Sequence, residues 1–155
     1  MLEDVIVRGT APACPYCSSK ANLVGGEVVY PHRPDLRPLK FWKCSGCRAY
    51  VGCHKQCAQV GHTPEGARLI SDGTLPLGRL ANARLRDLKK KVHAAFDPHW
   101  KDLKKFMAHP AYSPKAKRDA GRRSALYAWL ATEMQMSRDK CHFGMFNEAQ
   151  CEQAI

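Results

Sequence analysis

Apolar residues change their spacing once along this chain. In the first third they come in short runs. Val5 and Val7 alternate in the N-terminal arm and predict a short strand, and Ala21 to Tyr30 reads as a strand carrying Leu23, Val24, Val28 and Val29, broken by a turn or bulge at Gly25-Gly26. The prolines at 31, 34 and 38 forbid a helix or a central strand and predict a loop. Leu39 to Lys43 and Arg48 to Val51, rich in Phe41, Trp42, Tyr50 and Val51, complete a three-stranded sheet. Residues 61–78, punctuated by Pro64, Gly66, Gly73, Pro76 and Gly78, predict an irregular connection whose clearest turn is Ser71-Asp72-Gly73.

From Arg79 onward the spacing is helical. Ala81, Leu85, Leu88, Val92 and Phe96 recur in steps of four, three, four and four, which lines one face of a helix with apolar groups. Asp97-Pro98 predicts a second helix, with Asp97 as N-cap, burying Trp100, Leu103 and Phe106 or Met107 and ending before Pro110. Ser113-Pro114 repeats that start signal and opens the basic run Lys115 to Arg118. A third helix carries Leu126, Tyr127, Trp129, Leu130 and Met134 as core. Asn147 to Gln150 fits a capping box that starts a short terminal helix.

Cysteine spacing changes this picture. Cys14-Pro15-Tyr16-Cys17 and Cys44-Ser45-Gly46-Cys47 are two CxxC turns 26 residues apart, the ligand spacing of a structural four-cysteine zinc site. A redox pair or two disulfides fit less well, because both turns carry small residues and neither lies in a βαβ pattern. The metal also stands in for the core that so small a sheet cannot bury. The expected fold is therefore mixed α+β: a zinc ribbon over residues 1–60, the connection 61–78, and a basic bundle of about four helices over 79–155 packed with the ribbon as one unit. The chain has 155 residues, 45% of them hydrophobic, enough for a modest core. No apolar run approaches the ~20 residues of a membrane span, and Met1-Leu2-Glu3-Asp4 opens with acid. The expectation is a soluble, intracellular protein, where eight cysteines serve as metal ligands or reduced thiols.

A second group of ligand-type residues follows the ribbon. Cys53, His54, Cys57 and His62 lie within ten positions, but not at the spacing of a common finger. Cys141, His142 and Cys151 offer distant partners that would join Cys53 and His54 in a second zinc site or a buried polar cluster. Unligated thiols packed as small hydrophobes are the alternative.

The formal charge of +11 is concentrated: Arg79 to Arg123 hold 14 Lys/Arg against four acids, a net of +10. Such a block supplies the counterion release that drives binding to DNA or RNA backbones; the alternative is a solvated helix face. The candidate contacts are Asn82, Arg84, Arg86, Lys89, Lys90, His93, Lys101, Lys104, Lys105, Lys115, Lys117, Arg118, Arg122 and Arg123. Asn82, Arg86, Lys89 and His93 project together as a mixed polar row on the first helix. His54, His93 and His142, with Asn82 and Arg86, are residue types of metal-dependent nucleases. Yet no paired carboxylates, nucleophile elbow or phosphate-cradling loop accompanies them, and no small-molecule substrate is implied. Nucleic-acid binding without catalysis is the leading expectation. Docking on a protein partner is the competing one.

Taken together, CPYC, the second CxxC followed by Ala49-Tyr50-Val51-Gly52-Cys53-His54, Pro76 to Asn82, His93 with Phe96 to Trp100, Ala125 to Ala131 and Cys141 to Phe146 make the chain similar to the zinc-finger-containing domain family of phage and prophage proteins. The resemblance spans nearly the whole chain. It implies a phage or prophage origin, hence the bacterial host cytoplasm, and a single-domain architecture. It makes a host protein complex, such as a defence or transcription machine, the expected protein partner, and it gives weight to His54, Asn82, Arg86, His93, Cys141 and His142 as a shared site. Lys55 to Thr74, with Cys57 and His62, departs from the family pattern as an insertion.

Overall fold

The computed structural model describes residues 1–155 throughout, and the fold is mixed α+β. Backbone contacts divide the chain into two compact units, Met1–Asn82 and Ala83–Ile155.

In the first unit, β2 (Asn22–Gly25), β3 (Lys40–Lys43) and β4 (Tyr50–Gly52) form an antiparallel sheet in the order β2-β3-β4. The register places Leu23 opposite Trp42 and Trp42 opposite Val51. Successive side chains alternate between faces, so Trp42 and Phe41 point to opposite sides. Trp42 joins Cys14, Ala21, Cys44, Ala49 and Leu80 in a buried cluster. Phe41 meets Tyr30 and Tyr50 edge-on, and the two tyrosine hydroxyls are 2.8 Å apart. The strand expected over Ala21 to Tyr30 ends instead at Gly25, and Gly26–Val29 form a single helical turn, α1. The reason is local: Gly26 is buried against the backbone of Leu36, where any side chain would collide with the Leu36 carbonyl.

A second sheet replaces much of the expected irregular connection. Here β1 (Val5–Val7), β5 (Gln59–His62) and β6 (Arg68–Ser71) lie in the order β1-β6-β5. Strands β5 and β6 form a hairpin closed by Thr63 to Ala67, with Gly66 at φ +94°, and β1 pairs with β6 in parallel. The short run Arg68-Leu69-Ile70-Ser71 carries little strand signal alone. Its partner comes from the N-terminal arm, 64 residues away between Asp4 and Arg68, which local patterning cannot reveal.

In the second unit, α2 (Ala83–Lys101) buries Leu85, Val92 and Phe96 as its spacing predicts. It runs through Asp97-Pro98, so the expected second start at Asp97 is wrong. An internal proline costs a helix about 3 kcal/mol. Here Asp97 bridges the weak point, accepting from Trp100 Nε1 and Lys101 Nζ at 3.1 Å each, with His93 Nδ1 at 3.4 Å. The break falls at Asp102, whose carboxylate accepts from the Lys104 and Lys105 amides and caps α3 (Leu103–Met107). Of the pair Phe106 or Met107 it is Phe106 that is buried there, with Met107 exposed, but Leu103 is exposed rather than core.

Helix α4 (Asp119–Glu133) begins after the Lys115 to Arg118 run, not before it. Four residues with three cations would oppose the positive end of a helix dipole, whereas Asp119 complements it. Leu126, Tyr127, Leu130 and Ala131 are buried on α4, and Tyr127 stacks among Phe96 and Phe143. Helix α5 (Glu148–Ala154) starts with the expected capping box of Asn147 and Gln150.

Candidate metal centre and basic surface

Two backbone turns of one geometry build the metal centre. Cys14 N donates to Ser19 O at 2.7 Å and Ser18 N to Cys14 O at 2.8 Å. At the second turn, Cys44 N donates to Ala49 O at 2.9 Å and Arg48 N to Cys44 O at 3.0 Å. The fourth residue after each leading cysteine is left-handed, Ser18 at φ 64° and Arg48 at φ 59°. Neither is glycine, so each turn tolerates a conformation costing about 1–2 kcal/mol to aim its two sulfurs inward.

The Sγ atoms of Cys14, Cys17, Cys44 and Cys47 all lie within 4.8 Å of one another, with Cys17 and Cys44 3.5 Å apart. A tetrahedral zinc with Zn–S of about 2.3 Å requires sulfurs about 3.8 Å apart, so the donor set fits the ion. The Cys47 amide points at Cys44 Sγ at 3.4 Å, a donor suited to a thiolate. Protonation agrees. Hydrogen bonds from the Ser19 hydroxyl and amide, then from Cys47 and Cys44, pull Cys17 down to about 6, while Cys17 pushes Cys47 up to about 12. Ionisation of Cys17 thus opposes that of Cys47 beside it. Only a bound dication lets four sulfurs at this spacing ionise together. The chain thus carries one zinc site, with Cys14 and Cys44 buried and Cys17 and Cys47 toward solvent.

The other ligand-type residues divide between the two units. In the first, Cys53 donates its S–H to Thr74 O at 3.6 Å, and burial pushes its thiol up to about 11. His54 lines a cavity of about 160 Å³ with Lys40, Lys55 and Asp72. Cys57 is exposed, in a turn at φ 64°. In the second, Cys141 and Cys151 are fully buried, and burial raises both thiols. His142 Nδ1 accepts from the Gly144 amide at 3.1 Å. Desolvation, then Arg123, His93, Lys89 and Arg138, lower its pKa. His93 meets the edge of Phe143, at 5.1 Å between centroids.

The basic residues divide by what holds them. Arg122 is buried and leaves the set of candidate contacts: its guanidinium donates to Trp100 O at 2.7 Å, to Lys117 O at 3.0 Å and to Asp119, fastening α2, the preceding loop and α4 together. Lys89 Nζ donates to Gly144 O at 2.9 Å. Arg84 pairs with Glu152, and Lys101 with Asp97. Arg123 and Lys101 lie over the Trp100 ring at 5.9 and 5.1 Å. Asn82 stands in the first unit, where its amide meets the Tyr16 hydroxyl. Lys90, Lys104, Lys105, Lys115, Lys117 and Arg118 are exposed and form no ion pair. Sequence reading passed over Tyr112, which is 45% exposed beside the exposed Leu103 and Met107. Its signal was an isolated aromatic in a proline-flanked basic loop.

No helix is long and apolar enough to cross a membrane. No curated protein and no solved structure matches the chain. Two overlapping stretches, residues 10–113 and 101–155, match one family model, described as a zinc-finger-containing domain, and between them they contain all four sulfur ligands and both units' helices. The chain belongs to that zinc-finger-containing domain family.

Proposed function

We propose that the protein is a nucleic-acid-binding module of phage or prophage origin, working in the bacterial host cytoplasm. In this reading its zinc ribbon is a scaffold and its basic helical unit contacts the backbone of DNA or RNA. The observation that carries this reading is the set of six exposed cations without acidic partners, Lys90, Lys104, Lys105, Lys115, Lys117 and Arg118. A solvated face kept only for solubility would gain from interspersed acids. Here the nearby acids Asp97, Asp102 and Asp119 are engaged in bracing, capping and holding Arg122. Each phosphate neutralised releases condensed counterions, so affinity falls with salt by about 0.9 log units per contact per tenfold change on duplex.

The test is a fluorescence anisotropy titration of single- and double-stranded oligonucleotides across salt. A log–log slope steeper than about −3 is expected, and Lys104→Glu with Lys105→Glu should flatten it by about 2 while leaving zinc content unchanged. Absence of binding to any strand at low salt overturns the reading.

A further inference from the structure

One surface of the helical unit combines apolar exposure with unpaired charge. A groove of about 270 Å³ runs between α3 and the loop before α4, lined by Leu103, Phe106, Met107, Tyr112, Pro114 and the stem of Lys117. Phe106 is fully buried and forms its floor, with Tyr112 edge-on at 5.7 Å between centroids. Leu103, Met107 and Tyr112 are 54%, 57% and 45% exposed, a concentration of large apolar side chains unusual for residues with nothing to cover them. Lys117 lines the groove itself, and Lys104, Lys115 and Arg118 are exposed on the two segments that form it, whereas Lys105 lines a different cavity. In sequence, Lys104 and Lys105 sit between Leu103 and Phe106, while Lys115 and Lys117 alternate with Pro114 and Ala116. The two nearest acids are occupied, Asp102 by the amides of α3 and Asp119 by Arg122.

We infer that this groove seats an unpaired nucleobase, with the flanking phosphates on Lys104, Lys115, Lys117 and Arg118, so that the protein prefers single-stranded nucleic acid. The inference rests on the nucleic-acid reading above and specifies its substrate. Three properties favour a nucleotide over an acidic peptide. The groove lies just below the ~300–1,000 Å³ of drug-sized ligand sites, room for one ring system rather than the row of anchors that an amphipathic peptide presents. The apolar groove has one cation on its lining, Lys117, and further exposed cations on the segments that form it, matching a polymer that carries one ring and one charge in every unit. Tyr112 supplies an aromatic of the kind on which unpaired bases stack irrespective of sequence. A duplex keeps its bases inside and gains nothing from such a groove.

The experiment uses the full-length zinc-loaded chain and three labelled probes of about 12 nucleotides: a pyrimidine single strand, the same strand with abasic sugars, and the corresponding duplex. At one fixed salt concentration the base-bearing strand should bind at least about fivefold more tightly than the abasic strand, the lower end expected for stacking one base. Tyr112→Ala should erase that difference, and Tyr112→Phe should keep it. Met107→Asp, a second exposed position, should weaken the single strand more than the duplex. Equal binding of abasic, base-bearing and duplex probes overturns the groove while leaving backbone binding intact. Failure of every probe to bind, or capture of an acidic peptide by the groove with no competition from oligonucleotide, overturns the inference together with the function it specifies.

Discussion

Cys17→Ser isolates what the metal contributes. Cys17 is exposed, so replacing its sulfur removes one zinc ligand without opening a hole in the core. Cys44→Ser, by contrast, also buries a hydroxyl, because Cys44 is fully enclosed. Structural zinc binding is worth about 10–16 kcal/mol in comparable sites, against about 5–15 kcal/mol for the net stability of a whole domain. The first unit has little else to offset its loss. Its central cluster contains only two large side chains, Trp42 and Leu80, among alanines and cysteines. Cys17→Ser should therefore lose stoichiometric zinc by native mass spectrometry and unfold Met1–Asn82 nearly as completely as Cys44→Ser does. A local readout is the Trp42 indole N–H, which donates to Thr74 O at 2.7 Å and should exchange slowly with solvent only in the zinc-loaded protein. If Cys17→Ser keeps its zinc and a protected Trp42 indole, the four-sulfur centre is refuted.

Two further outcomes concern the helical unit. Arg122→Ala strands the Trp100 and Lys117 carbonyls and should cost about 2–4 kcal/mol in urea denaturation; Arg122→Lys should recover little, since an ammonium cannot serve three acceptors in the geometry of a planar fork. Partial burial raises the Asp97 carboxyl, but hydrogen bonds from Lys101, Trp100 and His93 outweigh it and hold the group below its ordinary value. Its stabilisation is thus present above the unfolded carboxylate pKa of about 3.9 and lost as pH falls through the lower folded value. Asp97→Ala should cost about 1–2 kcal/mol at neutral pH, and the gap from the unsubstituted chain should close as pH falls through the lowered carboxyl value. His109 runs in the same direction: burial, then His99, lowers its pKa, so stability should fall as pH drops below about 6.5, and His109→Gln should flatten that slope.

The parts legible in the sequence were those written in local chemistry. Two CxxC turns specified the ligand set, and the three-four spacing of Leu85, Val92 and Phe96 specified the buried face of α2. Where the sequence misled, a longer-range contact overrode a local signal. Asp97-Pro98 carries every mark of a helix start, yet three side chains reaching back to Asp97 carry α2 through it. Arg122 looked like one more surface cation in a basic run; only the fold shows that two carbonyls and Asp119 converge on it. Leu103 reads as core because it is apolar and helical, and hydropathy cannot tell a core stripe from an exposed groove. The parallel partner of β6 was invisible for a simpler reason, its distance along the chain.

That pairing has a kinetic corollary. Joining β1 to β6 closes a loop of 64 residues between Asp4 and Arg68. A metal clamped between Cys14 and Cys47 short-circuits the path, leaving about 30 residues of free chain between the strands, and each halving of a loop lowers its closure cost by about 0.6 kcal/mol. Zinc capture should then precede formation of the second sheet. The refolding rate of β1 on β6 would follow the free zinc concentration, although neither strand touches the ion.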